Sequence, residues 1–228
     1  MNPSQVAVIV PALDEEATIQ GVIAAVPAGV RVVVVDNGSR DATAVRARQA
    51  GADVVVEPRR GYGRAVQAGL AHLAASPPVA VVVLDADGSD DPAGLAQLVS
   101  PILDGSADLV LADRTRVCEP GALTPPQRVG NALARHGLRL LTGHAYRDLG
   151  PFRALRWAIL PRLRLSDPTW GFNVEMQLDA ARAGLRIVEI ALPYRNRQGG
   201  RSKISGTVIG TVRAGYRIVA TLVRHAVR

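Results

Sequence analysis

The stretch Val79-Ala80-Val81-Val82-Val83-Leu84-Asp85-Ala86-Asp87 decides the fold. An apolar run of this length, rich in β-branched residues and ending in acids, reads as a strand buried on both faces, as in a parallel sheet. Its acids fall at the C-terminal edge, where open α/β sheets bind their ligands. Two carboxylates one residue apart repel each other unless a cation sits between them, and oxygen pairs suit Mg²⁺ or Mn²⁺ holding a diphosphate. The residues that follow, Gly88-Ser89-Asp90-Asp91-Pro92, have turn chemistry. Alone, the triplet therefore leaves a metal site and a plain strand end equally open.

Further apolar runs lie at 6–10, 31–35, 54–56 and 108–112, and helical patterns separate them at 15–26, 41–50, 61–75 and 93–103. This alternation predicts a single α/β domain with a Rossmann-like, mostly parallel central sheet flanked by helices. Pro11 is expected to end the first strand. The second half is less regular: 125–141, 153–160 and 172–183 read as helices and 186–190 as a strand. The expected organisation is a domain over 1–203, with a ligand-binding half at 1–113 and a second half at 114–203, followed by a helix over 204–228. No internal repeat or low-complexity tract interrupts it.

Charge divides the chain in the same place. Residues 1–113 hold 7 arginines against 14 acids, whereas residues 114–228 hold 20 Lys and Arg against 6 acids, so the net +7 belongs to the second half. Such a surface suits phosphorylated substrates or an anionic membrane. Aromatic residues make up only 4% of the chain, too few for a nucleic-acid stacking surface, and no nucleic-acid partner is expected. The single cysteine, Cys118, excludes an internal disulfide and points to a reducing, cytoplasmic compartment. The four histidines lack ligand spacing, and neither a signal peptide nor a membrane-spanning run is apparent.

Four segments of the first half deliver polar groups to one sheet edge: Pro11-Ala12-Leu13-Asp14-Glu15-Glu16, Asp36-Asn37-Gly38-Ser39, Arg59-Arg60-Gly61-Tyr62-Gly63-Arg64 and Asp85-Ala86-Asp87. Glycines at a helix start let backbone N–H groups approach an anion. Asp36 suits the imide N–H of uracil or guanine, its alternative being to cap the next helix. Their convergence favours a metal-assisted nucleotide site.

These segments, with Asp148-Leu149-Gly150-Pro151-Phe152-Arg153 and Arg197-Gln198-Gly199-Gly200-Arg201-Ser202-Lys203, resemble the family 2 glycosyltransferases of GT-A fold, and most closely their dolichol- or polyprenyl-phosphate sugar synthase branch. The resemblance implies a UDP- or GDP-sugar donor held by Pro11, Ala12, Leu13, Asp14, Glu16, Asp36, Gly38, Ser39, Gly61, Gly63, Arg64, Asp85 and Ala86. It makes Asp87 the principal ligand of Mg²⁺ or Mn²⁺, with Asp85 on the metal or ribose. Asp148, Arg153 and Glu175 join Asp87 as candidate catalytic residues, and Glu175 falls near the acceptor. Ser89 stands where that branch often has a glutamine ligand, and Asn37 where a second aspartate is common. Asp90 and Asp91 both remain open as a further oxygen donor.

The acceptor follows from an absence. A sugar hydroxyl needs a general base, and the family's base segment for such acceptors, an acid followed by Q-x-x-R-W, is missing. A phosphate acceptor is already anionic and needs cations, which Arg114, Arg153, Arg197, Arg201 and Lys203 are expected to help supply, with Ser202 beside them in the acceptor-phosphate set. Within 204–228, Arg213, Arg217, Arg224 and Arg228 fall in a sector of about 60° opposite an apolar face. That pattern fits a basic amphipathic helix on the inner membrane face, where a lipid-linked phosphate would be met, or a helix packed on the domain. The expected activity is inverting sugar transfer to a polyprenyl phosphate. Its rivals are a soluble transferase using Asp148 or Glu175 as base and a sugar-nucleotide-binding module without turnover; a homo-oligomer is left open.

Overall fold

The structure, a computed structural model, describes residues 1–199. Arg201, Ser202, Lys203 and the helix expected over 204–228 lie outside the described residues. Seven strands form one sheet: β1 (Val6–Ala12), β2 (Arg31–Asp36), β3 (Asp53–Val56), β4 (Ala80–Val83), β5 (Leu109–Asp113), β6 (Arg153–Arg156) and β7 (Ile187–Ala191), in the order β3-β2-β1-β4-β6-β5-β7. Only the pairings of β6 with β4 and β5 are antiparallel, so the sheet is mostly parallel as the alternation predicts. Helices α1 (Ile19–Ala25), α2 (Thr43–Gln49) and α4 (Leu95–Leu103) cover one face; α3 (Tyr62–Leu73), α5 (Pro125–Thr142) and α6 (Gly171–Arg182) cover the other.

The period-2 geometry of the strands sorts their valines between two cores. Val8, Val10, Val34 and Val82 pack with Ile19, Leu95 and Leu98, whereas Ile9, Val33, Val35, Val81 and Val83 pack with Val66, Leu138 and Phe172. Because both faces are covered, the central strands read as continuous apolar runs.

Three local expectations are corrected. The first strand runs through Pro11 to Ala12. The Ile9 carbonyl accepts from Leu84 N–H on the β4 side, and two residues on the proline nitrogen faces that same side, beyond the end of β4, where no ladder bond is lost. The first helix begins at Ile19, because Asp14 adopts a φ of 51° and Glu15 and Glu16 donate their N–H groups to Thr43 Oγ1 and Asp41 Oδ2. Residues 153–156, expected to be helical, form β6, with Ala154 between Val82 and Val110. An Arg-Ala-Leu-Arg run has little strand preference of its own; the vacant edges of two buried strands impose it.

Candidate active site

The strand order reverses between β1 and β4, and such a switch point opens a crevice at the strands' C-terminal ends. A cleft of about 680 Å³ lies there, lined by Pro11 and Ala12 at the end of β1 and Leu13 after it, Asn37 after β2, Arg60 and Gly61 before α3 and Tyr62 at its start, and Asp85 to Asp87 after β4. Its outer wall comes from the second half: Arg114, Gln127, Pro151, Thr169, Trp170, Asn173, Tyr194 and Arg197. The acidic half thus supplies the floor and the basic half the rim.

Asp85 and Asp87 stand on that floor. Burial, and then the neighbouring Asp87 and Asp90 carboxylates, push Asp85 well above the usual aspartate range. Asp87 accepts from Ser89 N–H at 3.0 Å and Ser89 Oγ at 2.6 Å through one oxygen, and from Arg197 Nη1 at 3.0 Å through the other. Arg197 also bonds Glu15, which lines the cleft beside it. Asp90 is buried with one oxygen lacking a partner; burial pushes it up to about 7 against the pull of Arg114. Asp91, by contrast, is taken by Arg195 at 2.6 Å and by the Ala93 N–H. The described residues hold no cage of three or more metal-ligating side chains. Asp85 and Asp87 instead make an open oxygen pair, which fits a hard divalent cation that takes its remaining oxygens from a diphosphate and water.

The glycines before α3 serve packing as much as ligand approach. A Cβ on Gly61, whose φ is 151°, would meet the Pro168 carbonyl oxygen at 2.2 Å, and one on Gly63 would meet that of Asp167 at 2.0 Å. Gly61 lines the cleft, whereas Gly63 is buried beneath the 167–168 segment. Asn37 spends its whole amide here: Nδ2 donates to the carbonyls of Glu57 and Arg59, and Oδ1 accepts from Gly61 N–H at 2.7 Å. An aspartate, without donors, could not make the first two bonds.

The remaining expected site residues are not among those that line the cleft. Asp36 accepts from Ser39 N–H at 3.2 Å, Ser39 Oγ accepts from Asp14 N–H, and Asp14 Oδ1 accepts from Arg40 N–H, which ties Gly38 and its neighbours to the β1 loop. Glu16 accepts from Ala42 N–H, and the Arg64 N–H donates to the Pro168 carbonyl. Asp148 is fully buried and accepts from the Arg114 main chain, from its guanidinium at 2.7 and 3.0 Å, and from Asn131 at 2.8 Å. Burial alone would raise the Asp148 pKa, but the Arg114 bonds and charge outweigh it and hold it below the usual range. Glu175 is buried against Ser166 Oγ and Asp167 N–H, both at 2.6 Å.

Arg153, expected at an acceptor phosphate, is wholly buried. It donates to the carbonyls of Pro151, at 3.2 Å, and Gly150, and burial lowers its pKa. Arg114, from the expected set, does reach the cleft, with its guanidinium 5.0 Å from the Tyr194 ring centre. Sequence reasoning passed over Glu15, Arg60, Asn173 and Tyr194 as site residues. Glu15 and Arg60 stand within quoted motifs and Asn173 two residues before Glu175, while Tyr194 carries no local signal.

Comparison with known proteins bears on the family of the chain. The chain is 44% identical over 213 residues to an uncharacterized glycosyltransferase of Mycobacterium tuberculosis, covering 93% of this chain and 95% of that relative. It is 35% identical over 199 residues to the dolichyl-phosphate hexose transferase of Haloferax volcanii, covering 85% and 84%. Among solved structures it is similar to the M. tuberculosis glucosyl-3-phosphoglycerate synthase in complex with Mn²⁺, UDP and glucosyl-3-phosphoglycerate, with a TM-score of 0.77, 27% identity and coverage of 97% of this chain and 80% of that one. Residues 7–163, from the first strand across the acidic floor to the segment after β6, match glycosyl transferase family 2, and the chain belongs to that family of glycosyltransferases.

Proposed function

We propose that the enzyme transfers a hexose from a UDP-sugar to the phosphate of a polyprenyl phosphate. The observation that carries this reading is the acid–base inventory of the cleft. Its wall contains no histidine among the described residues, and its only carboxylates are Glu15, Asp85 and Asp87. Glu15 is paired with Arg197, and the other two form the acidic floor. Asp148 and Glu175, the other candidate bases, are buried off the cleft in hydrogen bonds. Among the described residues a hydroxyl acceptor would find no free base, whereas a phosphate oxygen attacks without one.

The donor half of the reading draws on Asp85 and Asp87, which would hold Mg²⁺ or Mn²⁺ to neutralise charge on the departing diphosphate. UDP in the related synthase's complex favours uridine over guanosine here. The N-terminal end of α3, a 12-residue helix, adds a positive dipole beside the cleft, with Arg60 at its edge. Arg114 and Arg197 line the same space and suit a second phosphate. The Haloferax relative's lipid-phosphate name lends the acceptor further support.

A second reading, a small phosphorylated acceptor, is favoured by the glucosyl-3-phosphoglycerate bound to the related synthase. Incubating the full chain and Mn²⁺ with a panel of labelled UDP- and GDP-sugars, each with polyprenyl phosphate or 3-phosphoglycerate, separates the two. Label entering the organic phase from a UDP-sugar is the expected result. Label confined to phosphoglycerate would replace the first reading with the second, and no transfer to either would end both.

A further inference from the structure

The described residues contain no helix long and apolar enough to cross a membrane. Helix α5 nonetheless leaves large apolar side chains uncovered: Val129 is 69% exposed, Leu133 51% and Leu140 73%, and Val117 just before it is 47% exposed. At about 100° per residue the three helical positions share a sector of about 40°. Arg128, Arg135 and Arg139 fall together in a second sector of similar width on one flank. The opposite face carries Ala134 and Leu138, which are fully buried in the core. Among the described residues nothing covers the outward stripe.

We propose that this face of α5 docks the enzyme on an anionic membrane. An apolar stripe flanked by arginines is the pattern of a helix lying in a lipid interface, with aliphatic side chains in the acyl boundary and guanidiniums at the headgroups. Charge selects this occupant over a second copy of the chain. Residues 125–142 carry no acid, so a two-fold contact through α5 would set arginines against arginines. Gln127, in the first turn, lines the cleft, and Asn131 bonds the Asp148 that holds Arg114; both lie on the inner face of α5 with Ala134 and Leu138, opposite the apolar stripe.

The inference deepens the lipid-acceptor reading, but its test uses neither donor nor acceptor, so the two can fail separately. Full-length protein is sedimented with vesicles of phosphatidylglycerol and phosphatidylcholine, or of phosphatidylcholine alone. Wild type is expected to bind the anionic vesicles, and Val129→Ser/Leu133→Ser/Leu140→Ser to lose about tenfold or more in partition. Thermal unfolding checks that the triple variant is folded; if it is not, Leu140→Ser alone, at the most exposed of the three sites, is expected to lose several-fold. Absence of wild-type binding would overturn the proposal. So would undiminished binding by a folded variant, or a wild-type dimer in size exclusion that these substitutions dissociate.

Discussion

The Arg197 guanidinium is bonded to Asp87, 3.0 Å from Nη1 to Oδ2, while its other nitrogen reaches Glu15. The side chain proposed to meet the acceptor thus holds the carboxylate proposed as the principal metal ligand. The contact is reinforced by Gln198 N–H, which donates to the Asp87 carbonyl at 3.1 Å, and by Arg195 N–H on the Ser89 carbonyl at 2.8 Å. A divalent cation taken up by Asp87 competes with this guanidinium for the same oxygen.

Arg197→Ala is therefore expected to bind Mn²⁺ several-fold more tightly in the absence of donor, the scale set by a partly exposed ion pair of about 1 kcal/mol. Sugar transfer is expected to fall, because a cation beside the phosphates is lost. Mn²⁺ titration followed by electron paramagnetic resonance reads the first effect. Weaker Mn²⁺ binding by the variant would show that Arg197 supports the carboxylate rather than competing for it.

Asp90 gives a pH dependence of defined sign. Burial pushes it up to about 7 from 3.8, so between these values the folded chain keeps a proton that the unfolded chain has released. Stability from this group is complete below that window and declines as pH rises through it. In EDTA, Asp90→Asn is expected to exceed wild type by about 1–3 kcal/mol at pH 8 and by little at pH 4. Urea unfolding at both pH values measures the difference, and an equal gain at both would remove the titration as its cause.

Gly63→Ala sets a methyl against the Asp167 carbonyl oxygen, 2.0 Å from the ideal Cβ position. Backbone on both sides has no rotamer in which to escape, so a loss of about 1–3 kcal/mol is expected. Differential scanning calorimetry reads it. A wild-type melting temperature would mean that the 167–168 segment gives way easily.

Asn37→Asp restores the residue common in the family at this position, yet it is expected to harm this chain. The two Nδ2 bonds to the Glu57 and Arg59 carbonyls become oxygen–oxygen contacts, a cost of about 1–3 kcal/mol. Because these bonds and the one to Gly61 join β2 to the start of α3, UDP affinity should fall along with stability. Calorimetric titration with UDP checks this; unchanged affinity would detach Asn37 from the nucleotide site.

The sequence made the strand-edge floor of the cleft legible and its outer wall only partly so. The valine-rich strands and the acids after β4 carry their own signal, since a buried parallel strand is a continuous apolar run and the ligand edge is its C-terminal end. What escaped local reading depended on distant partners. Residues 153–156 are a strand because β4 and β5 flank them, and Tyr194 and Asn173 reach the cleft from segments that no spacing rule ties to it. Arg153 and Asp148 fell in a family motif, but their burial comes from tertiary packing, which a motif does not encode. Gly61 and Gly63 were legible as glycines, while the 167–168 carbonyls that also require them were not.

The central claim is that the nucleophile is a phosphate oxygen rather than a hydroxyl. Phosphorus NMR of the product formed from polyprenyl phosphate, UDP-hexose and Mn²⁺ tests this most directly. The acceptor's phosphomonoester resonance is expected to be replaced by that of a sugar phosphodiester. An acceptor that keeps its phosphomonoester resonance while a hexose is transferred to a hydroxyl would contradict it.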